Sequence, residues 1–245
     1  MKVDSSIQNK FKLALKYHKE NEIDIAEKLY KEIIESDSNN IEAICYLATL
    51  YAQSKKIDLA KKLFLKAIEI NPNNPSINNN LGNIFLELGE GLKSIKFYEN
   101  ALKLKPEYVD THINLGIAFK SLGNYQKAIS CFEKAIQIEP KNIRSYNILG
   151  RVFKEQGQYS KAIACYEKLI KINPNDLIIL NGVLDLFTSI QFSNISSNKN
   201  NSIKNLILFL FKKNNINHNL IFHNAKLLFY NDKHNKNLEK AVNSE

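Results

Sequence analysis

Between residues 109 and 142 the apolar side chains return at helical spacing. Leu115, Gly116, Phe119 and Leu122 fall at i, i+1, i+4 and i+7, which puts them on one face of a helix. Gly123 interrupts that stripe, and Tyr125, Ala128, Ile129, Phe132, Ala135 and Ile136 make a second one. The Glu139-Pro140 pair closes it, because a residue before proline disfavours the right-handed helical region. The segment is therefore predicted to be two amphipathic helices joined by a tight turn.

The same pattern recurs every 34 residues. Pro72, Pro106, Pro140 and Pro174 keep that interval, as do Gly82, Gly116 and Gly150, and again Gly89, Gly123 and Gly157. Four of the five prolines and six of the eight glycines are thus periodic, which chance does not produce. Leu13, Leu47, Leu81, Leu115 and Leu149 follow the same interval, and so do Tyr17, Tyr51, Phe85, Phe119 and Phe153. Small residues at Ala26, Ala60, Ser94, Ala128 and Ala162 precede rings at Tyr30, Phe64, Tyr98, Phe132 and Tyr166. Small positions let two helices approach closely, and the rings fill the space beside them.

The run from Ile113 to Pro140, INLGIAFKSLGNYQKAISCFEKAIQIEP, resembles the tetratricopeptide repeat family. Five consecutive units fit: 7–40, 41–74, 75–108, 109–142 and 143–176, after an N-terminal tail at 1–6. The resemblance implies an all-α fold, a right-handed α-solenoid of tandem helix-turn-helix repeats with a C-terminal helical cap. Departures from the pattern are Ser38 in place of the proline, Asn21 at the turn glycine and Leu169 in place of an alanine. The large ring that the family places early in the first helix is replaced by Ile44, Asn78 and His112 and returns as Tyr146, so a loosened unit is expected near Asn78.

After Asp176 the period decays. Leu180, Val183, Leu184 and Phe187 continue a helical stripe, read as a capping helix over 177–191, since a terminal repeat needs its exposed face covered. The Asn/Ser-rich stretch 192–202 reads as a polar linker, and 203–245 as a C-terminal helical segment.

The resemblance also implies where a ligand lies. The first helix of each hairpin lines the concave surface, so its positions outside the core, Asn79, Asn80, Asn83, Asn114, Lys120, Arg144, Asn147, Arg151 and Lys154, form the expected peptide-binding groove. An asparagine amide bonds both the N–H and the C=O of an extended peptide, and arginine grips a carboxylate bidentately. Two family patterns compete. The carboxylate clamp of chaperone-binding members is similar to Asn83, Asn114 and Arg144, but Asn79 and Ile148 stand where basic residues belong. The asparagine ladder of O-linked N-acetylglucosamine transferase arrays corresponds to Asn80 and Asn114, while Tyr46 and Ile148 break it. Solvated consensus asparagines with no specific ligand are the third alternative.

Composition narrows the chemistry. With 44% apolar and 24% charged residues in 245, the chain is neither collagenous nor wholly disordered. Its net charge of +9 comes from scattered lysines with interleaved acids, a general bias and not a nucleic-acid patch. No apolar run suits a secretory signal or a membrane span, the longest being Leu206–Phe211. Three scattered cysteines form no disulfide framework or metal cage, and a cytoplasmic, reducing compartment is expected. Cys131 and Cys165 are 34 apart, at a position where a small apolar residue is tolerated. His218 and His223 are five apart, about 140° around a helix, and do not share a face as a zinc pair would. No nucleophile elbow, phosphate loop, zinc-protease or dinucleotide motif is present, and Gly89-Glu90-Gly91 is an inter-helix turn.

The sequence therefore predicts a non-catalytic interaction module without cofactor or metal. It is expected to bind a protein or peptide segment, with acidic segments best suited to its arginines, and neither nucleic acid nor membrane. The rival reading is the recruiting arm of a transferase whose catalytic domain is not in this chain, similar to O-linked N-acetylglucosamine transferase or to a methyltransferase. It rests on the change of character after Ser202 and on the segment NINHNLIFHNAKLLF. A third is a scaffold that self-associates through the apolar C-terminal segment.

Overall fold

The computed structural model of the protein describes residues 5–189 together with 206, 209 and 210. Every regular element among them is a helix. These are α1 (Ser5–Lys19), α2 (Ile23–Ser36), α3 (Ile41–Gln53), α4 (Ile57–Ile70), α5 (Pro75–Glu87), α6 (Gly91–Leu104), α7 (Val109–Ser121), α8 (Tyr125–Ile138), α9 (Ile143–Glu155), α10 (Tyr159–Ile172) and α11 (Leu177–Ser189). The chain divides into two compact units, residues 1–131 and 132–245, with the division inside α8. In the first unit α1 packs on α2, α3 on α4 and α5 on α6; in the second α9 packs on α10, and both contact α11.

The turn inside each hairpin has one geometry. Asn21, Lys55, Gly89, Gly123 and Gly157 all have positive φ, between 61° and 76°. The next amide then bonds back to the ring residue near the end of the first helix: Glu22 to Tyr17, Lys56 to Tyr51, Glu90 to Phe85, Asn124 to Phe119 and Gln158 to Phe153, at 2.8–2.9 Å. A left-handed residue followed by this long back-bond is a Schellman stop, which satisfies carbonyls that a helix end otherwise leaves open. Lys93, Lys127 and Lys161 repeat too, their ammonium groups 5.2–5.6 Å from the centroids of Phe85, Phe119 and Phe153.

The core follows the period. Ala26, Ala60, Ser94, Ala128 and Ala162 are fully buried, and the rings Tyr30, Phe64, Tyr98, Phe132 and Tyr166 are at most 2% exposed. Each such ring contributes on the order of 2–3 kcal/mol by leaving water. Gly82 makes room for one of them: a Cβ there would lie 2.4 Å from Cε1 of Tyr98. Leu47, Leu81, Leu115 and Leu149 are buried, whereas Leu13 is 42% exposed, because no described helix precedes α1 to cover it.

The loosened unit expected near Asn78 is not found. Asn78 is buried and its Nδ2 donates to Pro72 O at 3.3 Å and Asn74 O at 2.9 Å. His112, 34 residues on, bonds Pro106 O at 2.8 Å in the same way. A polar side chain here ties the helix to the preceding loop, which substitutes for the packing of a large ring.

The expected linker at 192–202 lies outside the described residues. So do residues 1–4 of the tail, His218, His223, and the C-terminal segment apart from 206, 209 and 210. Of these last, Leu206 and Leu210 are buried. None of the described helices is long and apolar enough to cross a membrane.

Candidate functional site

In the first unit, α5 and α7 bring Asn79, Asn80, Asn83 and Asn114 into one hydrogen-bonded group. Asn79 lies on α5 with its side chain buried, and its Oδ1 accepts from Thr111 Oγ1 at 3.0 Å and from Asn114 Nδ2 at 3.3 Å. Its own Nδ2 donates to Asn80 Oδ1 at 3.4 Å. Asn114 Nδ2 also donates to Asn83 Oδ1 at 3.0 Å, and that oxygen takes a second bond from the Tyr98 hydroxyl at 2.7 Å. The amides were expected to offer both donors and acceptors to a ligand. In the structure the acceptor oxygens of Asn79, Asn80 and Asn83 are occupied by neighbouring donors.

The half-buried Asn80 and the exposed Asn83 lie at the surface, and each keeps an Nδ2 with no partner among the described residues. Asn79 and Asn114 are 6% and 9% exposed and serve to join α5 to α7. Lys120 is half-buried near the end of α7. What this face of the first unit presents is therefore hydrogen-bond donors.

In the second unit, α9 carries Arg144, Asn147, Arg151 and Lys154. Arg144 and Arg151 are exposed, and Asn147 and Lys154 half-buried. Lys154 Nζ pairs with Asp185 Oδ2 of α11 at 2.5 Å. Asn147, Arg151 and Lys154 are spaced i, i+4 and i+7, so they share one face of α9. Arg151 and Lys154 make this face cationic.

Sequence reasoning missed three participants and one cluster. Tyr98 figures in the sequence pattern only as a core ring, and Thr111 and Asp185 stand outside it, yet each holds a site residue. Tyr46 registered only as a break in the ladder. It is 41% exposed and belongs to an aromatic group in the first two hairpins, 5.5 Å from Phe11 in an edge arrangement and stacked on Tyr30 at 6.1 Å. His18 joins that group, bonded through Nε2 to Gln53 Oε1 at 2.8 Å and through Nδ1 to the Tyr30 hydroxyl at 3.3 Å. The available signal was register: Tyr46 stands 34 residues before Asn80.

The thiols are chemically quiet. Burial pushes the pKa of Cys45 and Cys131 up to about 11 and that of Cys165 to about 12, so each stays protonated near neutrality. Among the described residues no three His, Cys, Asp or Glu side chains gather to hold a metal ion.

Residues 109–142 and 143–176 match a tetratricopeptide repeat family model, residues 75–108 match another of the same description, and residues 50–89 match a TPR repeat model. No curated protein sequence matches the chain. Among solved structures, MamA is 25% identical with a TM-score of 0.60, over 66% of this chain and 94% of that one. PilW, described as a widely conserved type IV pilus biogenesis factor, has a TM-score of 0.73 at 19% identity, over 90% of this chain and 99% of that one. YrrB, described as a TPR protein with an unusual peptide-binding site, has a TM-score of 0.57 at 20% identity, over 70% and 89%. With matches running through residues 50–176, more than half of its 245 residues, the chain belongs to the tetratricopeptide repeat family.

Proposed function

We propose that this protein is a non-catalytic adaptor that holds an extended or helical segment of a partner protein along the first helices of its repeats. One observation carries this reading: on α5 the acceptor oxygens of Asn79, Asn80 and Asn83 are occupied, which leaves donors at its surface, and α9 presents cations. Asn80 and Asn83 offer amide N–H groups in the first unit, and α9 offers Asn147, Arg144 and Arg151 in the second. A surface of donors and cations suits a ligand rich in acceptors, which a peptide backbone with acidic side chains supplies. The peptide-binding site named for YrrB supports the same reading by likeness of fold. The unpaired thiols of Cys45, Cys131 and Cys165 agree with a cytoplasmic setting.

The test is capture of partners from lysate with the intact chain and with a variant carrying Asn80→Ala, Asn83→Ala and Arg144→Ala, read by mass spectrometry. All three positions are exposed or half-buried, but Asn83→Ala also removes the acceptor of the buried Tyr98 hydroxyl, so a melting curve first establishes that the variant is folded. Partners lost from the variant alone support the groove; the same partners on both baits overturn it. For an acidic peptide so identified, Arg144→Ala is expected to weaken binding by about 1.5–3 kcal/mol in calorimetry, the range for hydrogen bonds to charged groups.

A further inference from the structure

Tyr98 and Tyr166 occupy the same place in their hairpins, 68 residues apart. The Tyr98 hydroxyl donates to Asn83 Oδ1 at 2.7 Å. The Tyr166 hydroxyl is buried and has no hydrogen-bond partner among the described residues. Register explains the difference. The residue equivalent to Asn83 is Arg151, whose guanidinium has donors and no acceptor. The residue equivalent to Asn114 is Gly182, which brings no side chain. Gly182 also admits the ring against α11: a Cβ on it would meet Cε1 of Tyr166 at 2.7 Å and the hydroxyl oxygen at 3.0 Å.

The ring tip therefore lies where α9 and α11 meet, and the charges there are unbalanced. Asp185 of α11 is already paired with Lys154. Arg151, exposed on the same face of α9, makes no ion pair among the described residues. Burial, with the Asp185 charge adding to it, pushes the Tyr166 pKa up to about 12, and the Arg151 charge acts against that rise. The hydroxyl is thus a donor at every physiological pH. A buried donor without an acceptor is a cost that a bound acceptor would remove.

We propose that the seam between α9 and α11 is a carboxylate notch, in which one Asp or Glu side chain of the bound segment accepts a hydrogen bond from the Tyr166 hydroxyl and pairs with Arg151. This rests on the groove reading and adds a register to it: the segment places an acid opposite the last α9 turns. Among the described residues at this seam Arg151 is the cation without an ion pair, which matches a single carboxylate. A doubly charged phosphate would require a second, and Lys154 is engaged.

The test uses the full chain with two blocked peptides, hexaglutamate and hexaglutamine, in calorimetry at fixed ionic strength, together with thermal melts. The parent is expected to bind hexaglutamate and not hexaglutamine. Tyr166→Phe loses a hydroxyl that had no partner, so it melts at or above the parent temperature and binds hexaglutamate at least fivefold more weakly. Arg151→Asn restores the acceptor found beside Tyr98; it melts a few degrees higher and loses tenfold or more in binding. A Tyr166→Phe chain that binds as the parent does, or melts several degrees lower, overturns the notch. So does displacement of hexaglutamate by inorganic phosphate at concentrations where acetate has no effect. If both notch variants bind normally while Arg144→Ala is weakened, the notch fails and the groove stands. If the parent does not bind hexaglutamate, the notch fails, and the lysate capture decides the groove separately.

Discussion

Lys55 holds φ at 61°, in the left-handed region where an L-residue's Cβ crowds the following carbonyl. The equivalent positions in later hairpins are Gly89, Gly123 and Gly157, and in the first hairpin Asn21, the non-glycine residue that tolerates this conformation best. The strain at Lys55 is about 1–2 kcal/mol. Its ammonium pairs with Glu87 at 2.8 Å, but both side chains are well exposed, and such pairs contribute about 0–1 kcal/mol. Glycine adds freedom to the unfolded chain, about 0.5–1 kcal/mol. The sum favours the smaller residue: Lys55→Gly is expected to stabilise the protein by about 0.5 kcal/mol, read as a higher urea midpoint with an unchanged slope. A lower midpoint would mean that the Glu87 pair outweighs the backbone.

A helix in this chain is set by both of its ends, and the N-terminal ends also follow the period. Asn40, Asn74, Asn142 and Asp176 each accept a bond from a backbone amide in the first turn of α3, α5, α9 and α11, at 2.8–3.1 Å. Tyr108 stands at that position before α7 and makes no side-chain cap. Its backbone is extended, as a cap requires, so Tyr108→Asn is expected to stabilise by about 1 kcal/mol, checked by urea titration. Glu27 links α2 to its neighbours. Burial alone would raise its pKa, but bonds from Lys31, Tyr51 and Lys56 hold it at about 2, below its ordinary value of 4.5. A depressed carboxylate stabilises the fold fully above 4.5 and loses that contribution as pH falls toward 2. Glu27→Gln should therefore lower the melting temperature at neutral pH and flatten the acid limb between about pH 4.5 and 2. An unchanged acid limb would show the Glu27 group to be idle. The element pattern was legible because glycine, proline and ring positions repeat at identical offsets, which turns weak local preferences into one strong signal. The uncapped α7 was legible as well, as the one break in the Asn40, Asn74, Asn142, Asp176 series, but only to a reading that counted caps alongside glycines and prolines.

In an array of repeats stability is approximately the sum of each repeat and its interface with the next, and the amide group is one such interface. This is where periodic reasoning ran out. Asn79 bonds Thr111 and Asn114, at offsets of 32 and 35 and not 34, so comparing equivalent positions does not reveal the pairs. Whether an asparagine at these positions faces a ligand or its neighbour is decided by the residue on the next helix. Position 46 has Tyr, position 148 Ile and position 182 Gly, so among the described residues the group forms fully only where α5 meets α7. Its energetics can be separated from the rest of the molecule. Asn79 Oδ1 is buried and has two donors; removing either leaves one bond, whereas removing both leaves a buried oxygen unpaired, a cost of about 1–3 kcal/mol. Thr111→Val and Asn114→Ala should therefore destabilise together by at least about 1 kcal/mol more than the sum of the single changes. Lys55→Gly and Tyr108→Asn share no partner, and their effects should add to within about 0.5 kcal/mol. Urea titration of the two double-mutant cycles measures both. Additivity in the first cycle would mean that water replaces the lost donors, so that the amides are open to solvent and to a ligand. Coupling there, with additivity in the second, assigns Asn79 and Asn114 to holding the repeats together and leaves binding to the side chains beside them.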